Sequence, residues 1–526
     1  MSYTGWALRR RGSFLLAVVV GMVWLADWLF YGQTIGWSAG IFSLALLLAL
    51  TLRGGRYFRE KPGRIVAATT LGMVVAMMIH PGPLAVTLGL LGLVTLAVID
   101  RGGWTSSVAE WAWRWARFVG LGLSQAIRDV RTQNRWLRKH PQDTRGVAGF
   151  ATHNLHVWLI PVLLSTMFVG LFAIANPVVQ HRLSDAIENL FARLGDLGSW
   201  LVPARMGFWL ATAVAVWALL RVRLKPKAGS EKPRRPRTWR FAWEPPREGE
   251  VVTGPTFTPQ DATALTVRCL ILFNVVFAVQ TSLDVFYLYG GATLPDGMTY
   301  AEYAHRGAYP LVVTALLAGL FVLIAFHPRG AAQRSTAARR LVGLWIAQNI
   351  VLMVSSVWRL NLYVEVYSLT RWRVAAALWM ALVGVGFGWL IWRIVADRDN
   401  RWLLQRVTLT GLTLLYVVCF VNLDGAIARY NVAHCAEMGG EGHTLDVAYL
   451  ERLGPAALPA LNQYIQATHD LRAVHPTPEN ADAWTSAQES HRVVRRLENQ
   501  LDGRLENWRG WTWRRSQIAR ELVATR

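Results

Sequence analysis

Cysteine is nearly absent from this sequence, and the three residues present, Cys269, Cys419 and Cys435, are far apart. No CxxC pair occurs, so neither a disulfide framework nor a cysteine-based zinc site is expected. The sequence also lacks a Walker loop, HExxH and a GxGxxG after a strand. These absences leave no residue to name as a nucleophile, general base or ligand. We therefore predict no cofactor and no metal, and the pattern leans against an enzyme without excluding one whose residues converge from separate helices.

Charged residues are also scarce, at 17% of the chain against 53% hydrophobic residues, and the mean hydropathy is +0.27. This balance excludes an ordinary soluble domain. The net charge is nevertheless +22. In a soluble protein that value favours nucleic-acid binding. Here the basic residues lie in short segments between apolar runs. In membrane proteins this distribution determines which loops stay in the cytoplasm. We therefore expect the bilayer, and no nucleic acid, as a partner.

About eleven segments are apolar over the roughly 20 residues that a helix needs to cross the hydrocarbon core. The sequence therefore predicts an all-α, polytopic transmembrane helix bundle. The predicted spans lie near residues 13–31, 35–52, 64–80, 83–99, 152–175, 204–221, 264–287, 308–326, 340–358, 373–395 and 404–422.

Basic residues cluster in every second connection, which places those connections in the cytoplasm. The clusters are Arg9–Arg11 and the segments 53–64, 100–150, 222–250, 334–340 and 393–406. With eleven spans, all of them lie on one side. The sequence thus predicts a multi-pass inner-membrane protein with a cytoplasmic N-terminus and a C-terminus outside the cytoplasm, which is the periplasm in a cell with two membranes.

The same pattern predicts four regions: a six-span region with amphipathic segments (1–224), a basic cytoplasmic linker (225–262), a five-span region (263–422) and a small extracytoplasmic helical domain (423–526). In that domain we expect helices near 445–470, 481–503 and 505–524, the first broken at Gly454-Pro455. Residues 177–200 alternate apolar and charged residues at helical spacing, which predicts an amphipathic segment along the outer surface. The Trp- and Arg-rich stretch 104–140 is either a basic amphipathic helix on the inner membrane surface or a solvated cytoplasmic helical loop.

Polar residues gather at the predicted outer ends of the spans in the second half. Two arrangements fit these residues: an ion-pair network that clamps helix ends to the C-terminal domain, or a pocket in which arginine and tyrosine hold an anionic lipid headgroup. The candidate residues are Gln280, Asp284, Glu302, Arg306, Arg359, Tyr363, Glu365, Arg371, Asp424 and Arg429. Asp27, near the end of the first span, is interpreted as an interfacial residue. His434, Cys435 and His443 lack the spacing of a metal site.

Five segments resemble a bacterial inner-membrane family catalogued as domain of unknown function 4173, which is close to family 4153. They read DGMTYAEYAHRGAYPLVVTALL (296–317), RLNLYVEVYSLTRWRV (359–374), NLDGAIARYNV (422–432), LDVAYLERLGPAALPAL (445–461) and NWRGWTWRRSQIA (507–519). In that family we expect glycine at the position of Ser368. The resemblance implies a multi-spanning membrane protein and assigns no catalytic residue.

Three functions are compatible with these features. The first is a non-enzymatic envelope sensor or scaffold that couples the outer domain to a partner in the membrane or cytoplasm. The second is a transporter or flippase for an anionic or lipid-linked substrate, although repeated halves and matched broken helices are missing. The third is an outer-leaflet transferase with Glu302 or Asp284 as base. The sequence favours the first.

Overall fold

The computed structural model describes residues 3–120, 202–221, 259–289, 335–440, 443–469 and 481–525, together with positions 122, 165, 182, 185, 317, 319–322 and 326. Over these residues every regular element is a helix and none is a strand, which confirms the all-α prediction. The described residues form two compact units. The first contains the helices up to residue 221 with Asn507–Gly510, and the second contains Ser106–Val108 and the remaining residues from 259 onward.

The first unit is a bundle of long apolar helices. Helix α1 packs against α2 and α5, and α3 and α4 pack side by side as a hairpin. Pro83 stands in the first turn of α4, where the missing N–H of proline costs no hydrogen bond. Leucines at helical spacing fill the core, including Leu46, Leu50, Leu93, Leu96 and Leu220. The helices are α1 (Tyr3–Phe30), α2 (Ser38–Arg53), α3 (Lys61–Ile79), α4 (Pro83–Gly102) and α5 (Pro203–Arg221), with a further helical stretch over 108–120.

Four long helices form the apolar part of the second unit: α6 (Pro259–Tyr289), α7 (Thr336–Tyr367), α8 (Arg371–Val395) and α9 (Asn400–Val418). Each packs against the next. Trp345 of α7 is buried at the centre, with the rings of Phe277 and Phe387 edge-on to it at 6.3 Å. Side-chain caps begin three of the helices, from Ser335 to α7, Thr370 to α8 and Asp399 to α9.

A small helical domain completes the second unit. Its helices are α10 (Leu423–His434), α11 (Val447–Leu453), α12 (Leu458–Ala467), α13 (Ala481–Leu505) and α14 (Trp513–Thr525). A 3₁₀ turn at Gly454–Ala457 separates α11 from α12, so the predicted break at Gly454-Pro455 is confirmed. All five helices contribute to one core, which contains Ile427, Leu450, Leu461, Tyr464, Leu497 and Ile518.

Six described helices are long and apolar enough to cross a membrane, and a seventh is possible if α9 and α10, which meet at 70°, count as one span. Two shorter apolar helices, Leu15–Phe30 and Ser38–Arg53, add to these. The chain is therefore an all-α membrane protein. The predicted spans 152–175 and 308–326 lie almost wholly outside the described residues, as do the surface segment 177–200 and the linker 225–262. The total of eleven spans and their orientation stay predictions.

Gly63 allows the closest backbone approach in the first unit. A Cβ atom added there lies 2.1 Å from the carbonyl oxygen of Tyr57, a residue that is itself fully buried. Because that oxygen belongs to the backbone, it cannot move aside as a flexible side chain does. We expect Gly63→Ala to lower the free energy of unfolding by about 1–3 kcal/mol, the usual range for overpacking. Thermal unfolding in detergent, followed by circular dichroism, measures the effect.

The matched control is Gly207→Ala in α5, where an added Cβ meets no atom within 4 Å. Alanine favours a helix over glycine by up to about 1 kcal/mol, so this variant keeps or raises the melting temperature. Equal melting temperatures for the two variants would show that the chain near Tyr57 is not packed as described.

Candidate functional site

The α7–α8 connection is the place where the membrane helices of the second unit meet its C-terminal domain. Only Ser368, Leu369 and Thr370 separate the two helices. Leu369 and Val374 pack against the core of the C-terminal domain. We define the α7–α8 joint as residues 367–373 together with their partners Asp424, Asn431 and Tyr449.

Asn431 makes the most direct contact in the joint. The Leu369 N–H donates to Asn431 Oδ1 at 2.7 Å, and Asn431 Nδ2 donates to the Leu369 carbonyl at 3.0 Å. The side chain is 4% exposed. One amide thus satisfies both backbone groups of one connecting residue, and each bond contributes about 0.5–1.5 kcal/mol. Removing one buried partner costs more, about 1–3 kcal/mol. The pairing therefore fixes the connection to α10.

Arg371 attaches the first turn of α8 to two other helices. Its Nε donates to Asp424 Oδ1 of α10 at 2.6 Å, and its backbone N–H donates to the Tyr449 hydroxyl of α11 at 2.8 Å. The Arg371 side chain is 52% exposed. Ion pairs at such exposure contribute about 0–1 kcal/mol. The buried Asn431 pairing therefore holds the joint more firmly than the ion pair does.

Arg373 neutralises the C-terminal end of α7. Its Nη1 donates to the Tyr367 carbonyl at 2.5 Å and also to the Ser368 carbonyl. Its guanidinium lies 4.4 Å from the ring centroid of Tyr363, which is itself 4.7 Å from the ring of Tyr367. The last carbonyls of a helix carry partial negative charge and lack partners within the helix, so a cation there is stabilising.

Arg514 adds a contact from α14, because its Nη2 donates to the Phe420 carbonyl beyond the end of α9 at 3.3 Å. Burial lowers the pKa of the Arg514 guanidinium, and the Asp424 carboxylate opposes that shift. Asn422 caps α10 by accepting from the Gly425 N–H at 3.2 Å. The polar groups at this end of the bundle therefore interact mainly with other parts of the chain.

The structure joins some of the predicted site residues and leaves others apart. Arg371 and Asp424 pair, and Tyr363 packs against Arg373. Glu365 is exposed and accepts from Asn361 Nδ2 at 2.6 Å. Gln280 and Arg359 are half-buried on α6 and α7, and Arg429 is exposed on α10 with no ion pair to another described residue. The side chain of Asp284, on α6, and residues Glu302 and Arg306 lie outside the described part of the chain.

Asn431 and Tyr449 are joint residues outside the set of candidate site residues, although the sequence places Asn431 among the polar residues after the last predicted span and Tyr449 at a core-facing position. Asn431 follows Ile427 at helical spacing and precedes Val432, and all three are buried on α10. An asparagine on the apolar face of a short helix needs hydrogen-bond partners for its buried amide. This need is the sequence feature that points to Asn431. Its partner lies 62 residues away along the chain. The sequence alone does not identify such a partner.

A second polar group, in the first unit, joins α1 to α5. Asp27 is 8% exposed, and both of its carboxylate oxygens accept from Arg205, one of them from Nε at 2.7 Å. Trp209 Nε1 donates to the same carboxylate at 2.8 Å. The Arg205 guanidinium also lies 4.9 Å from the ring centroid of Tyr31. The sequence indicates an interfacial residue at Asp27 but does not identify its partner.

The described residues contain no group of three His, Cys, Asp or Glu side chains placed to hold a metal ion. His434 Nδ1 lies 2.9 Å from the Tyr430 carbonyl oxygen, and the rings of His434 and Tyr430 stack with their centroids 4.1 Å apart. Cys435 is buried, and its Sγ donates to the Val432 carbonyl at 3.2 Å. These side chains have local structural roles.

Ser368 has φ of 66° and ψ of 169°, a backbone region that suits glycine and costs other residues about 1–3 kcal/mol. Glycine is also the residue expected from the family resemblance. We therefore predict that Ser368→Gly raises the melting temperature, partly offset by the greater freedom of glycine in the unfolded chain. Ser368→Ala keeps the Cβ atom and so should not stabilise. Equal effects of the two variants would assign the change to the hydroxyl group.

Burial, together with the nearby Glu437 carboxylate, raises the pKa of the Cys435 thiol to about 12. Because the thiolate is the reactive form, only about one molecule in a thousand is reactive at pH 9. We expect no alkylation of Cys435 in the folded protein between pH 7 and 9, and complete alkylation after denaturation in SDS. His434→Cys places an exposed thiol one residue away as the control. Comparable labelling rates at the two positions would contradict the buried placement of Cys435.

A family model described as a domain of unknown function, DUF4153, matches residues 12–464. No curated protein and no solved structure matches the chain. The expected family, 4173, is therefore replaced by the close family 4153. The match includes the first six predicted spans, which that resemblance did not cover, and it ends before the segment 507–519. The chain belongs to the DUF4153 family, whose members share a domain of unknown function.

Proposed function

We propose that this protein is a non-enzymatic envelope sensor or scaffold of the bacterial inner membrane. In this proposal the C-terminal helical domain lies outside the cytoplasm and is coupled through α7 and α8 to partners in the membrane or cytoplasm. The observation that carries the proposal is the α7–α8 joint, where one buried amide holds both backbone groups of Leu369.

The joint suits mechanical coupling because it links a folded domain to two long helices at their ends. Helix α7 has 32 residues. At 1.5 Å per residue it extends about 48 Å, more than the thickness of the hydrocarbon core. A tilt or shift imposed on α10 is passed to the ends of α7 and α8 rather than absorbed by a loose loop. Such rigid transfer is what a sensor or scaffold needs.

The polar groups of the joint give little support to a catalytic role. Asp424 accepts from Arg371, Asn431 binds the backbone of Leu369, and Arg373 binds the end of α7. An ion pair near a membrane surface is more often structural than catalytic. The transferase alternative rests on Glu302 and on the side chain of Asp284, which the described residues do not include.

The transporter alternative draws on the 70° bend between α9 and α10, because broken helices line many transport sites. However, Ile427, Ala428 and Val432 of α10 belong to the core of the C-terminal domain. This packing favours α10 as the first helix of that domain over the second half of a broken span. We therefore rank coupling above transport.

Loosening the joint tests the proposal. Asn431→Asp keeps the acceptor for the Leu369 N–H but replaces the amide donor with a carboxylate oxygen facing the Leu369 carbonyl. A photo-crosslinking residue at Arg398, an exposed position between α8 and α9, reports contacts at the far end of these helices in intact cells. We expect a crosslinked partner in the parent protein and a severalfold lower yield with Asn431→Asp. The lost bond and the new repulsion disturb the coupling.

Arg429→Gln is the matched control, since Arg429 is exposed on the same helix and makes no ion pair with a described residue. This variant should crosslink like the parent. Circular dichroism and detergent extraction verify that Asn431→Asp is folded. An unchanged yield in a folded Asn431→Asp protein, or no crosslinked partner in the parent, would overturn the coupling proposal.

A further inference from the structure

The helix over 108–120, which follows α4 in the first unit, presents three different faces. At about 100° per residue, Glu110, Arg114 and Arg117 fall on one stripe of this helix. Trp111, Trp115 and Phe118 fall on a second stripe, about 100° away. Ala109, Ala112, Trp113, Ala116 and Val119 fall on the third, whose centre is about 130° from each of the other two. Only the first stripe is charged.

The second stripe faces the bundle. Trp111 is 8% exposed and Phe118 is 6% exposed, and both belong to the buried cluster that contains Leu50, Tyr57 and Leu96. Trp111 Nε1 donates to the Thr105 carbonyl at 2.9 Å, and the Trp104 ring lies 5.3 Å from the Trp111 ring. The helix is therefore fixed against the bundle and does not rotate freely.

The charged stripe is held by local contacts. Arg114 Nη2 lies 2.6 Å from Glu110 Oε1, and Arg114 Nη1 donates to the Gly103 carbonyl at 2.8 Å. The Thr105 hydroxyl donates to Glu110 at 2.6 Å, and this bond and the Arg114 guanidinium lower the pKa of the Glu110 carboxyl. The carboxylate is thus ionised at neutral pH, as expected for a stripe in contact with water.

The third stripe is apolar and uncovered by any described residue. Trp113 is 66% exposed, Val119 is 66% exposed, and Ala112 and Ala116 between them are exposed as well. A helix in water places polar residues on the face turned away from the protein. On this helix the third stripe is turned away from the protein and is apolar. Leaving a tryptophan and a valine in water forfeits the favourable free energy of burying their apolar surface.

The surroundings identify what covers this face. The 108–120 helix packs near the ends of α2, α4 and α5, and those ends carry Arg53, Arg101 and Arg221. The connection from α2 to α3 adds Arg56 and Arg59, and the first turn of α3 adds Lys61 and Arg64. Leu48 and Leu52 on α2 are exposed apolar residues leading to the same end. Exposed apolar helix surface that ends in a belt of arginine and tryptophan is typical of a protein at the edge of the hydrocarbon core.

We propose that the 108–120 helix lies in the plane of the phospholipid leaflet at this basic end of the first unit. Its Trp113 face sits among the acyl chains, and its Glu110–Arg114–Arg117 stripe lies at the anionic headgroups. The helix thus occupies the line where protein, lipid and water meet, with one stripe for each. Of the two arrangements that the sequence left open, this selects the membrane-surface helix over the solvated loop. The inference does not depend on the coupling proposal.

Site-directed spin labelling of the full chain in nanodiscs of phosphatidylglycerol and phosphatidylethanolamine tests the placement. Ala112→Cys and Ala116→Cys carry the nitroxide, because these small-residue changes leave Trp113 in place. Cys269 is replaced by serine, while Cys419 and Cys435 are buried. Leu48→Cys serves as the lipid reference and the exposed Lys61→Cys as the water reference. Oxygen partitions into the bilayer and a neutral nickel chelate partitions into water.

At positions 112 and 116 we expect the label to collide severalfold more often with oxygen than with the nickel chelate. The lipid reference at Leu48 should give the same preference, and the water reference at Lys61 the opposite one. Greater access to nickel would mean that water covers this face and would overturn the proposal. Low access to both reagents would mean that another part of the protein covers it, which also overturns the proposal. Val119→Cys, on the same stripe, provides a third position if one variant fails to fold.

Discussion

The hydrocarbon core of a membrane offers no hydrogen-bond partner, so each long helix of this protein must satisfy its backbone groups internally. Only the helix ends escape this constraint, because the last carbonyls and first N–H groups lie beyond the helical ladder. Several polar contacts between described elements accordingly lie near helix ends. Asp27 and Arg205 join α1 to α5, Asn431 holds the α7–α8 connection, and Arg114 binds the Gly103 carbonyl after α4.

In the α7–α8 joint, the free energy that each contact contributes decides which one stabilises the connection most. Its ion pair joins Arg371 and Asp424, two residues that the sequence singles out, yet its exposure limits it to about 1 kcal/mol. The Asn431 amide is uncharged but buried, and losing it leaves backbone groups unsatisfied at a greater cost. The joint also tolerates Ser368 in a conformation that suits glycine. Strain of that kind persists where surrounding contacts fix the backbone, as Asn431 and Arg373 do here.

The C-terminal domain extends beyond the part of the chain that the family model matches. The match ends at residue 464, inside α12. In this protein Leu458, Leu461 and Tyr464 are buried in a core shared with Leu497 and Leu501 of α13 and Ile518 of α14. A domain cut at 464 would expose that apolar surface. Helices α13 and α14 therefore form one folding unit with the matched region here, and any function of the joint includes them.

Much of the architecture follows from the sequence because hydrophobic length and periodicity are local properties. Runs of about 20 apolar residues predict long helices without knowledge of their neighbours. Gly454-Pro455 likewise predicts a break from local backbone chemistry. The candidate site was only partly predictable. Arg371 and Asp424 were singled out as charges near the ends of spans, but nothing in the sequence paired them.

By itself the sequence determined the all-α class and the apolar helices. It also indicated which helix ends in the second half carry the polar residues. Tertiary structure decided which of those polar residues meet. It paired Asn431 with Leu369, 62 residues away, and Asp27 with Arg205, 178 residues away. It also turned the Trp111 stripe inward and left Trp113 outside. The physical reason is that partner choice depends on how helices pack in three dimensions, whereas hydropathy and turn chemistry depend only on neighbouring residues in the chain.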